Sequence, residues 1–545
     1  MSNNQLVRGT MILTAAIFIS KTLGLLYIFP FQAIVGLDGL ALYNYGYTPY
    51  TVLLSLATLG IPLAVSKFVS KYQALGDFRT GQRLFHSGLL VMTVTGFFAF
   101  LLLFLLAEPI ARQVIDPNNM EGNDLADVVF TIRMVSVALL IVPIMSIVRG
   151  YFQGFQSMGP TAVSQVVEQL VRIVFILTAA YLIIHIFEGE LGVAVGFATF
   201  GAFIGALGGL VVLFIFWWRR RNAISVQIEQ SEVDHRLPLK QMYKELIAYA
   251  LPISFVGLAI PMFQMVDLFT FNQAMMDIGF GQNEAERYFG AFTSASHKLI
   301  LIPVSVATAM SLTILPALTK SYTHGDHEGL KKQVTQTFQI ILFISVPAGI
   351  GLFLLADPAY ATLFGLDDLE IGGDILQYYA PVAILFSVFP VSAALLQGID
   401  KQRYAVIALT VGVLLKALLN TLLISWLGAT GAIFATAIGY LAAIAITIWA
   451  ISKYTSYNYV FLLKRSLLIV MFTFAMAVVV ILTNRLLQQW FPLESWGNSL
   501  ISLAVPVVVG TLTYFLLTVR SGLAGDVLGH RFRFLNKKRP LQQKE

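Results

Sequence analysis

The sequence contains no cysteine among its 545 residues. Disulfide bonds, thiolate metal sites and thiol nucleophiles are therefore excluded. Charged residues are also scarce, at 12% of the chain, whereas a soluble protein carries about 25%. Because 57% of the residues are hydrophobic, so few charges cannot cover a water-exposed surface. The composition excludes a soluble enzyme, a disordered regulator and a nucleic-acid-binding protein, and it predicts a polytopic membrane protein.

Motifs of chemical catalysis are missing as well. The sequence has no Walker phosphate loop, no metal-binding histidine cluster and no nucleophile elbow. We therefore expect no cofactor, no metal, no ATP hydrolysis and no enzymatic activity. Any transport would be driven by an ion gradient, the membrane potential, the substrate gradient or a partner.

Long apolar runs fill most of the chain. A helix needs about 20 mostly apolar residues to cross the hydrocarbon core of a bilayer. Fourteen runs meet this length, which predicts an all-α protein with 14 transmembrane helices. Their limits are 10–36, 44–70, 84–107, 126–148, 160–186, 190–218, 245–272, 286–316, 335–356, 375–397, 403–425, 429–452, 464–484 and 498–519.

The basic residues are distributed unevenly between the connecting segments. If the amino terminus is cytoplasmic, most of the 35 Lys and Arg residues fall in cytoplasmic segments. The outer segments, together with the outer ends of the adjoining spans, then hold only Arg112, Arg133, Arg287 and Arg485. Such a bias is typical of the positive-inside rule. It predicts an even number of spans and two cytoplasmic termini.

The chain repeats its own pattern. Val69-Ser70-Lys71-Tyr72 and Gly76-Asp77 correspond to Leu318-Thr319-Lys320-Ser321 and Gly325-Asp326, and Gln153-Gly154 later corresponds to Gln397-Gly398. Six spans separate the two copies, so both copies have the same topology. A parallel repeat predicts two six-helix lobes with a site between them.

The repeat divides the chain into five parts. Residues 1–220 form an N-lobe of spans 1–6, residues 221–244 a cytoplasmic linker, and residues 245–455 a C-lobe of spans 7–12. Residues 456–520 hold two further helices, and residues 521–545 form a basic cytoplasmic tail. We expect this tail to anchor the topology and to contact anionic lipid.

Six ionisable residues stand out within the predicted spans, where burial of a charge is costly and indicates function. They are Lys21, Glu168, Arg172, Asp267, Lys298 and Lys416. Four cations against two acids leave this interior with an excess of positive charge. The balance favours an anionic substrate.

Each of these residues has more than one interpretation. Glu168 and Arg172 are four residues apart on one helix face, so they either neutralise each other or bind substrate. Lys21 lies too deep in the first span to reach the interface, which favours a cavity. Lys298 precedes Pro303 in a span that we expect to be kinked, which favours substrate contact. The neighbouring His297 is weak evidence for proton coupling.

Asp267 and Lys416 lie in the seventh and eleventh spans. One interpretation is a buried pair between the two side chains. The other is a cation site formed by Asp267 and Asn420.

Several motifs resemble those of a known family. They are Gly60-Ile61-Pro62-Leu63-Ala64-Val65-Ser66-Lys67, Arg149-Gly150-Tyr151-Phe152-Gln153-Gly154, Gln165-Val166-Val167-Glu168-Gln169-Leu170-Val171-Arg172 and Leu315-Pro316-Ala317-Leu318-Thr319-Lys320. Over nearly its whole length the chain resembles the MurJ-type lipid II flippases. These belong to the polysaccharide-transporter branch of the MOP flippase superfamily.

The resemblance implies a lipid II flippase of the bacterial plasma membrane. Such a protein moves the undecaprenyl-pyrophosphate-linked peptidoglycan precursor from the inner to the outer leaflet by alternating access, driven by the membrane potential or an ion gradient. The implied partners are lipid II, membrane lipids and cell-wall synthesis proteins, and the implied state is a monomer. The last two helices would form a groove for the lipid tail.

The resemblance also implies roles for single residues. Basic residues of the first and eighth spans bind the head group in this family, and Lys21 and Lys298 stand at the matching positions. Further arginines of the family are not matched, because Tyr27 and uncharged residues near Ser55 occupy those regions. Some relatives bind sodium through an acid of the seventh span, here Asp267. Lys416 would then replace the ion as a tethered cation.

Three alternatives remain at this point. An exporter of another lipid-linked oligosaccharide would share every feature above. A MATE-like small-molecule antiporter would share the twelve-helix core, but its cavity should be richer in acids. A membrane-embedded glycosyltransferase would need a catalytic acid in a sizeable outer loop, and the outer segments are short.

Overall fold

The computed structural model describes residues 3–58, 60–116, 121–229, 231 and 238–528. Within these ranges the chain is helical and has no strand. The basic residues of the predicted tail, from Arg531 to Arg539, lie outside the described residues, as do residues 230 and 232–237 of the predicted linker.

The helices are α1 (Asn3–Leu26), α2 (Ile28–Thr58), α3 (Ile61–Ala74), α4 (Phe78–Leu105), α5 (Ala107–Val114), α6 (Leu125–Ser136), α7 (Val142–Gly154), α8 (Met158–Tyr181), α9 (Leu191–Glu229), α10 (Leu239–Gly257), α11 (Ala259–Asp277), α12 (Gln282–Gly290), α13 (His297–Leu312), α14 (Leu315–Thr323), α15 (His327–Leu354), α16 (Ala356–Phe364), α17 (Leu369–Tyr379), α18 (Val382–Gly398), α19 (Gln402–Leu427), α20 (Ala429–Thr455), α21 (Val460–Trp490), α22 (Trp496–Arg520) and α23 (Leu523–Leu528). A 3-10 turn, Val137–Leu140, precedes α7. Two π-helical turns, Leu182–Ile186 and Ala291–Ser296, follow α8 and precede α13.

Eleven helical stretches in the described part of the chain are long and apolar enough to cross a membrane. The number rises to 12 if α17 and α18, bent by 44°, form one span. The first stretch, Met11–Ala74, holds 64 residues and covers both the first and the second predicted spans. The seventh predicted span falls on α10 and α11, which are not among the eleven. The fold is therefore compatible with fourteen crossings, and that number stays a prediction.

Glycines break the first long stretch at two points. Gly36, with φ 68°, kinks α2 two residues before Asp38, which is where the sequence predicts the first connection. Gly60, with φ 65°, then separates α2 from α3 within the second predicted span. Only glycine adopts this left-handed conformation readily, and Pro62 is well suited to the first turn of the helix that follows. The second span is thus not the continuous helix that its apolar run predicts.

The repeated Gly-Asp pairs form the same turn in both halves. Gly76 and Gly325 adopt left-handed conformations with φ of 73° and 71°. Asp77 and Asp326 follow as N-caps of α4 and α15, and each carboxylate accepts a hydrogen bond of 2.9 Å from the backbone N–H three residues later. An aspartate at this position satisfies one of the free N–H groups of a helix start.

The repeated glycines that follow also make equivalent contacts. Gly154 of α7 lies against α3, where a Cβ on it would be 2.7 Å from Cβ of Val69. Gly398 of α18 lies against α14, where a Cβ would be 2.9 Å from Cδ2 of Leu318. Small residues allow membrane helices to approach closely. Because Val69 and Leu318 are themselves equivalent in the repeat, the structure confirms the internal duplication.

The chain forms two compact units that meet in sequence between Gly290 and Ala291. In the amino-terminal unit, α8 packs against α9 and α1, and α3 packs against α7. In the carboxy-terminal unit, α19 packs against α20, and α15 packs against α21. The eighth predicted span, 286–316, is divided between the two units.

The last helices add a separate layer to the carboxy-terminal unit. The helices α21 and α22 pack on each other, and buried Met476, Val480 and Tyr514 join them to α15. The short helix α23 buries Val527 in the same cluster. From the repeat we expect these helices to have no counterpart in the amino-terminal half.

Candidate functional site

Arg172 is a partly buried cation of the amino-terminal unit. It lies on α8 and faces aromatic residues of α2. Its Nη2 donates a hydrogen bond of 3.1 Å to the hydroxyl of Tyr43, and its guanidinium carbon lies 5.1 Å from the ring centre of Tyr47. Its Nε is buried without a hydrogen-bond partner among the described residues. No carboxylate within the described ranges forms an ion pair with it.

A ladder of aromatic rings holds this cation in place. Tyr43 and Tyr47 stack with ring centres 5.3 Å apart, and Phe31 contacts the edge of Tyr43 at 5.5 Å. Tyr27 is buried, and its hydroxyl donates a long hydrogen bond of 3.4 Å to the hydroxyl of Tyr43. Tyr27 occupies a region where the sequence lacks an arginine expected from the resemblance. In this structure it joins the tyrosine group that surrounds Arg172.

Glu168 does not neutralise Arg172. Its Oε2 forms an ion pair of 2.7 Å with Nη2 of Arg149 on α7, and both side chains are largely buried. Nε and Nη2 of Arg149 also donate to Oγ of Ser164 at 3.1 and 2.7 Å. The spacing of Glu168 and Arg172 along one helix made their pairing a reasonable interpretation. The structure contradicts it, because Glu168 faces α7 and Arg172 faces α2.

Lys21 lies on α1, and its side chain is exposed. One turn later, a Cβ on Gly24 would be 3.0 Å from Nε2 of Gln169 on α8. This turn of α1 therefore lies beside the part of α8 that carries Arg172. The role of Lys21 in binding stays a prediction.

Lys416 is a fully buried cation of the carboxy-terminal unit, with no exposed surface. Its Nζ donates a hydrogen bond of 2.8 Å to Oγ1 of Thr436 and lies 6.0 Å from the ring centre of Phe292. Asn420 lies one turn further along α19 and is also fully buried. Thr436 was not singled out from the sequence, since a lone threonine in an apolar span carries no signal.

Asp267 belongs to the amino-terminal unit, where it is buried on α11. Lys416 and Asn420 belong to the other unit. The predicted pair between Asp267 and Lys416, and the alternative cation site, thus each combine residues of the two units and stay predictions.

Lys298 follows the π-helical turn at the start of α13 and is partly buried. Its neighbour His297 is buried among aromatic rings, and its Nδ1 lies at a hydrogen-bond distance of 3.0 Å from the hydroxyl of Tyr379. This contact gives His297 a structural partner within its own unit.

Sequence reasoning missed a buried carboxylate, Glu286. It lies on α12 with no exposed surface. Its Oε2 accepts hydrogen bonds of 2.9 and 2.8 Å from the backbone N–H and the side-chain amide of Asn123. Gln282 donates a longer one of 3.4 Å to Oε1. The apolar pattern of the eighth span begins near Glu286, so the residue resembles an ordinary charge at the membrane surface.

Comparisons with known proteins agree with this architecture. A family model described as "Polysaccharide biosynthesis protein" matches residues 6–322, and one described as "MatE" matches residues 289–422. The chain is 44% identical to the protein named "Lipid II flippase MurJ" of Bacillus subtilis (strain 168), over 97% of this chain and 98% of that protein.

Solved structures show the same fold at low sequence identity. A structure described as lipid II flippase MurJ in an inward closed conformation aligns with a TM-score of 0.63 and 15% identity, covering 95% of this chain and 99% of that one. A multidrug resistance MATE family transporter of the MOP superfamily aligns with a TM-score of 0.65 and 16% identity, covering 82% of this chain and 98% of that one. Within the described residues, no group of His, Cys, Asp and Glu side chains is arranged to hold a metal ion.

Proposed function

The chain belongs to the MurJ family of the MOP superfamily, and we propose that it is a lipid II flippase of peptidoglycan synthesis. It moves the undecaprenyl-pyrophosphate-linked precursor from the inner to the outer leaflet of the bacterial plasma membrane. It does so without a catalytic step. The observation that carries the proposal is the 44% identity to the Bacillus subtilis flippase, which extends over 97% of the chain.

The charge inside the amino-terminal unit supports an anionic substrate. Arg172 is surrounded by neutral tyrosines, and the nearest acid on its own helix, Glu168, is engaged by Arg149. A buried cation without a carboxylate is costly unless an anion binds it. We propose that Arg172 binds the head group of lipid II. The family resemblance assigns head-group binding to Lys21 and Lys298 as well. Glu168 then keeps Arg149 in place and does not contact substrate.

The membrane potential is a sufficient driving force for this anion. A pyrophosphate carries about two negative charges, and each charge gains about 2.3 kcal/mol per 100 mV. With the cytoplasm negative, outward movement of the head group is downhill by about twice that value. The internal repeat supports alternating access by two lobes, and both termini are cytoplasmic in this proposal. The lobe limits of 1–220 and 245–455 rest on the repeat alone, whereas the compact units of the structure divide between Gly290 and Ala291.

In the carboxy-terminal unit we propose that Lys416 is a tethered cation that replaces a bound ion. Its complete burial and its hydrogen bond to Thr436 support this role. If Lys416 takes the place of an ion, the Lys416→Ala variant should transport only when sodium is supplied. Transport that stays equal with and without sodium in this variant would contradict the proposal.

The function can be tested in a bacterial strain whose own lipid II flippases are depleted. The chain is expressed in this strain, and lipid II is quantified separately in each leaflet. We expect the wild type to restore outer-leaflet lipid II and Lys21→Ala, Lys298→Ala and Arg172→Ala to fail. Arg112→Ala is the matched control, because Arg112 forms an exposed ion pair with Glu108.

The alternatives give different results in this assay. If the expressed chain does not restore lipid II in the outer leaflet but does carry a different lipid-linked glycan there, the substrate assignment is wrong. If the Arg112→Ala control fails as well, the loss reflects charge in general and not the proposed site.

A further inference from the structure

One edge of the Arg172 guanidinium group carries a hydrogen-bond donor that has no acceptor among the described residues. In arginine, Nε and Nη2 lie on one edge and together bind a single oxygen or a carboxylate. Two other arginines use this edge fully. Nε and Nη2 of Arg112 both donate to Oε1 of Glu108, and those of Arg149 both donate to Oγ of Ser164.

At Arg172 only half of this edge is used. Nη2 donates to the hydroxyl of Tyr43 at 3.1 Å, whereas the buried Nε has no partner among the described residues. Leaving a buried donor without an acceptor is costly, and native structures rarely do so without a reason. The stacked Tyr47 ring meanwhile keeps the guanidinium in place.

Tyr43 adds a second donor at the same edge. Its oxygen accepts hydrogen bonds from Nη2 of Arg172 and from the hydroxyl of Tyr27. A phenol oxygen that accepts two hydrogen bonds still has its own proton to donate. Within the described ranges no acceptor takes that proton. The Nε edge of Arg172 and the hydroxyl of Tyr43 therefore offer two hydrogen-bond donors and a positive charge to an anion.

We infer that Tyr43 contacts the substrate, and that its hydroxyl and the Nε–H of Arg172 form a two-donor site for the pyrophosphate group. Tyr27 is a positioning residue, because it acts only by orienting the hydroxyl of Tyr43. This inference rests on the proposed function, and it assigns the pyrophosphate, and not the sugar or the peptide, to this side of the amino-terminal unit.

The test uses full-length protein in lipid nanodiscs and short isoprenoid probes without any glycan. Farnesyl pyrophosphate, farnesyl phosphate and farnesol are titrated by calorimetry. We expect the wild type to bind the pyrophosphate most tightly. Tyr43→Phe keeps the ring stacking and removes the donor, so affinity for farnesyl pyrophosphate should fall by roughly tenfold, as expected for a hydrogen bond to a charged group.

Two more variants separate contact from packing. Tyr27→Phe should weaken pyrophosphate binding by only about two- to threefold, because it removes a long, neutral hydrogen bond. Tyr50→Phe is the control, since Tyr50 belongs to the same ladder, at 5.3 Å from Tyr47, and should bind like the wild type. Thermal unfolding of each variant checks that the fold is intact.

Arg172→Lys gives a readout that does not depend on the tyrosine variants. Lysine keeps the charge but has no two-atom edge, so the preference for pyrophosphate over monophosphate should disappear. The inference is overturned if this preference survives, if Tyr43→Phe binds like the wild type, or if Tyr43→Phe and Tyr50→Phe weaken binding equally. Failure of the wild type to prefer pyrophosphate also overturns it.

The experiment separates this inference from the proposed function. Because the probes carry no glycan, a protein that flips another lipid-linked glycan on the same carrier still shows the expected pattern. If the wild-type protein shows the expected binding pattern but does not transport lipid II, only the substrate assignment is refuted and the two-donor site is not.

Discussion

Replacing Arg149 with methionine should disturb both the stability and the transport activity of this protein. Arg149 joins α7 to α8 through an ion pair of 2.7 Å with Glu168 and two hydrogen bonds to Ser164. The Arg149→Met variant keeps most of the side-chain length and removes the charge. Glu168 is left without its cation.

The size of the effect follows from the burial of the pair. The two side chains are only 13% and 20% exposed. Removing one partner of a fully buried pair costs about 3–5 kcal/mol, and exposed pairs contribute about 0.2–1 kcal/mol. We expect Arg149→Met to lower the free energy of unfolding by about 2–3 kcal/mol, between these limits.

The same change should reduce transport through Arg172. Glu168 and Arg172 are four residues apart on α8, a spacing at which side chains meet on a helix surface. Once released from Arg149, the carboxylate of Glu168 can turn to Arg172 and neutralise it. Adding Glu168→Gln to the variant removes that carboxylate, so the double variant should regain transport and part of the lost stability.

Thermal unfolding in detergent and the leaflet assay measure the two effects. The four proteins of the double-mutant cycle give a coupling free energy, which we expect to be about 1–3 kcal/mol. If the two substitutions are additive in stability, the ion pair contributes nothing. If the double variant transports as poorly as Arg149→Met, the competition between Arg149 and Arg172 for Glu168 is refuted.

Two further predictions concern packing and the buried carboxylate. Gly150→Ala places a Cβ against the backbone oxygen of Pro62. Because this Cβ would push α3 and α7 apart, we expect the variant to be less stable by about 1–3 kcal/mol. A thermal midpoint equal to that of the wild type would contradict the contact. Asn123→Ala removes the side-chain hydrogen bond of 2.8 Å to Glu286 and should cost about 1.5–3 kcal/mol. Adding Glu286→Gln to that variant should recover part of the loss in the same unfolding measurement, and no recovery would show that the charge of Glu286 is unimportant.

Composition and pattern were sufficient to predict an all-helical membrane protein. A chain with 57% hydrophobic and 12% charged residues must form apolar helices, because a bilayer leaves no water to satisfy exposed backbone groups. The repeat was visible as matching residues such as Gly76 and Gly325, because a left-handed turn favours glycine. Apolar helices and left-handed turns depend on residues that are close in sequence, so the sequence predicts them directly.

The break at Gly60 was missed for the opposite reason. A hydrophobic run predicts the length of a buried segment and not its continuity, and the glycine and proline that end α2 and begin α3 lie within an apolar stretch. Glu286 was missed because its burial depends on the amides of Asn123, 163 positions earlier in the chain.

The residues of the candidate site show what sequence alone determined and what the tertiary structure decided. The sequence identified Glu168 and Arg172 as costly charges in a span, since the cost of burial depends on residue type and on the surrounding hydrophobic run. It could not assign their partners. Arg149 lies 19 positions from Glu168, and Tyr43 lies 129 positions from Arg172. Helical spacing determines which residues share a face, but only the packing of α8 against its neighbouring helices decides what each face meets.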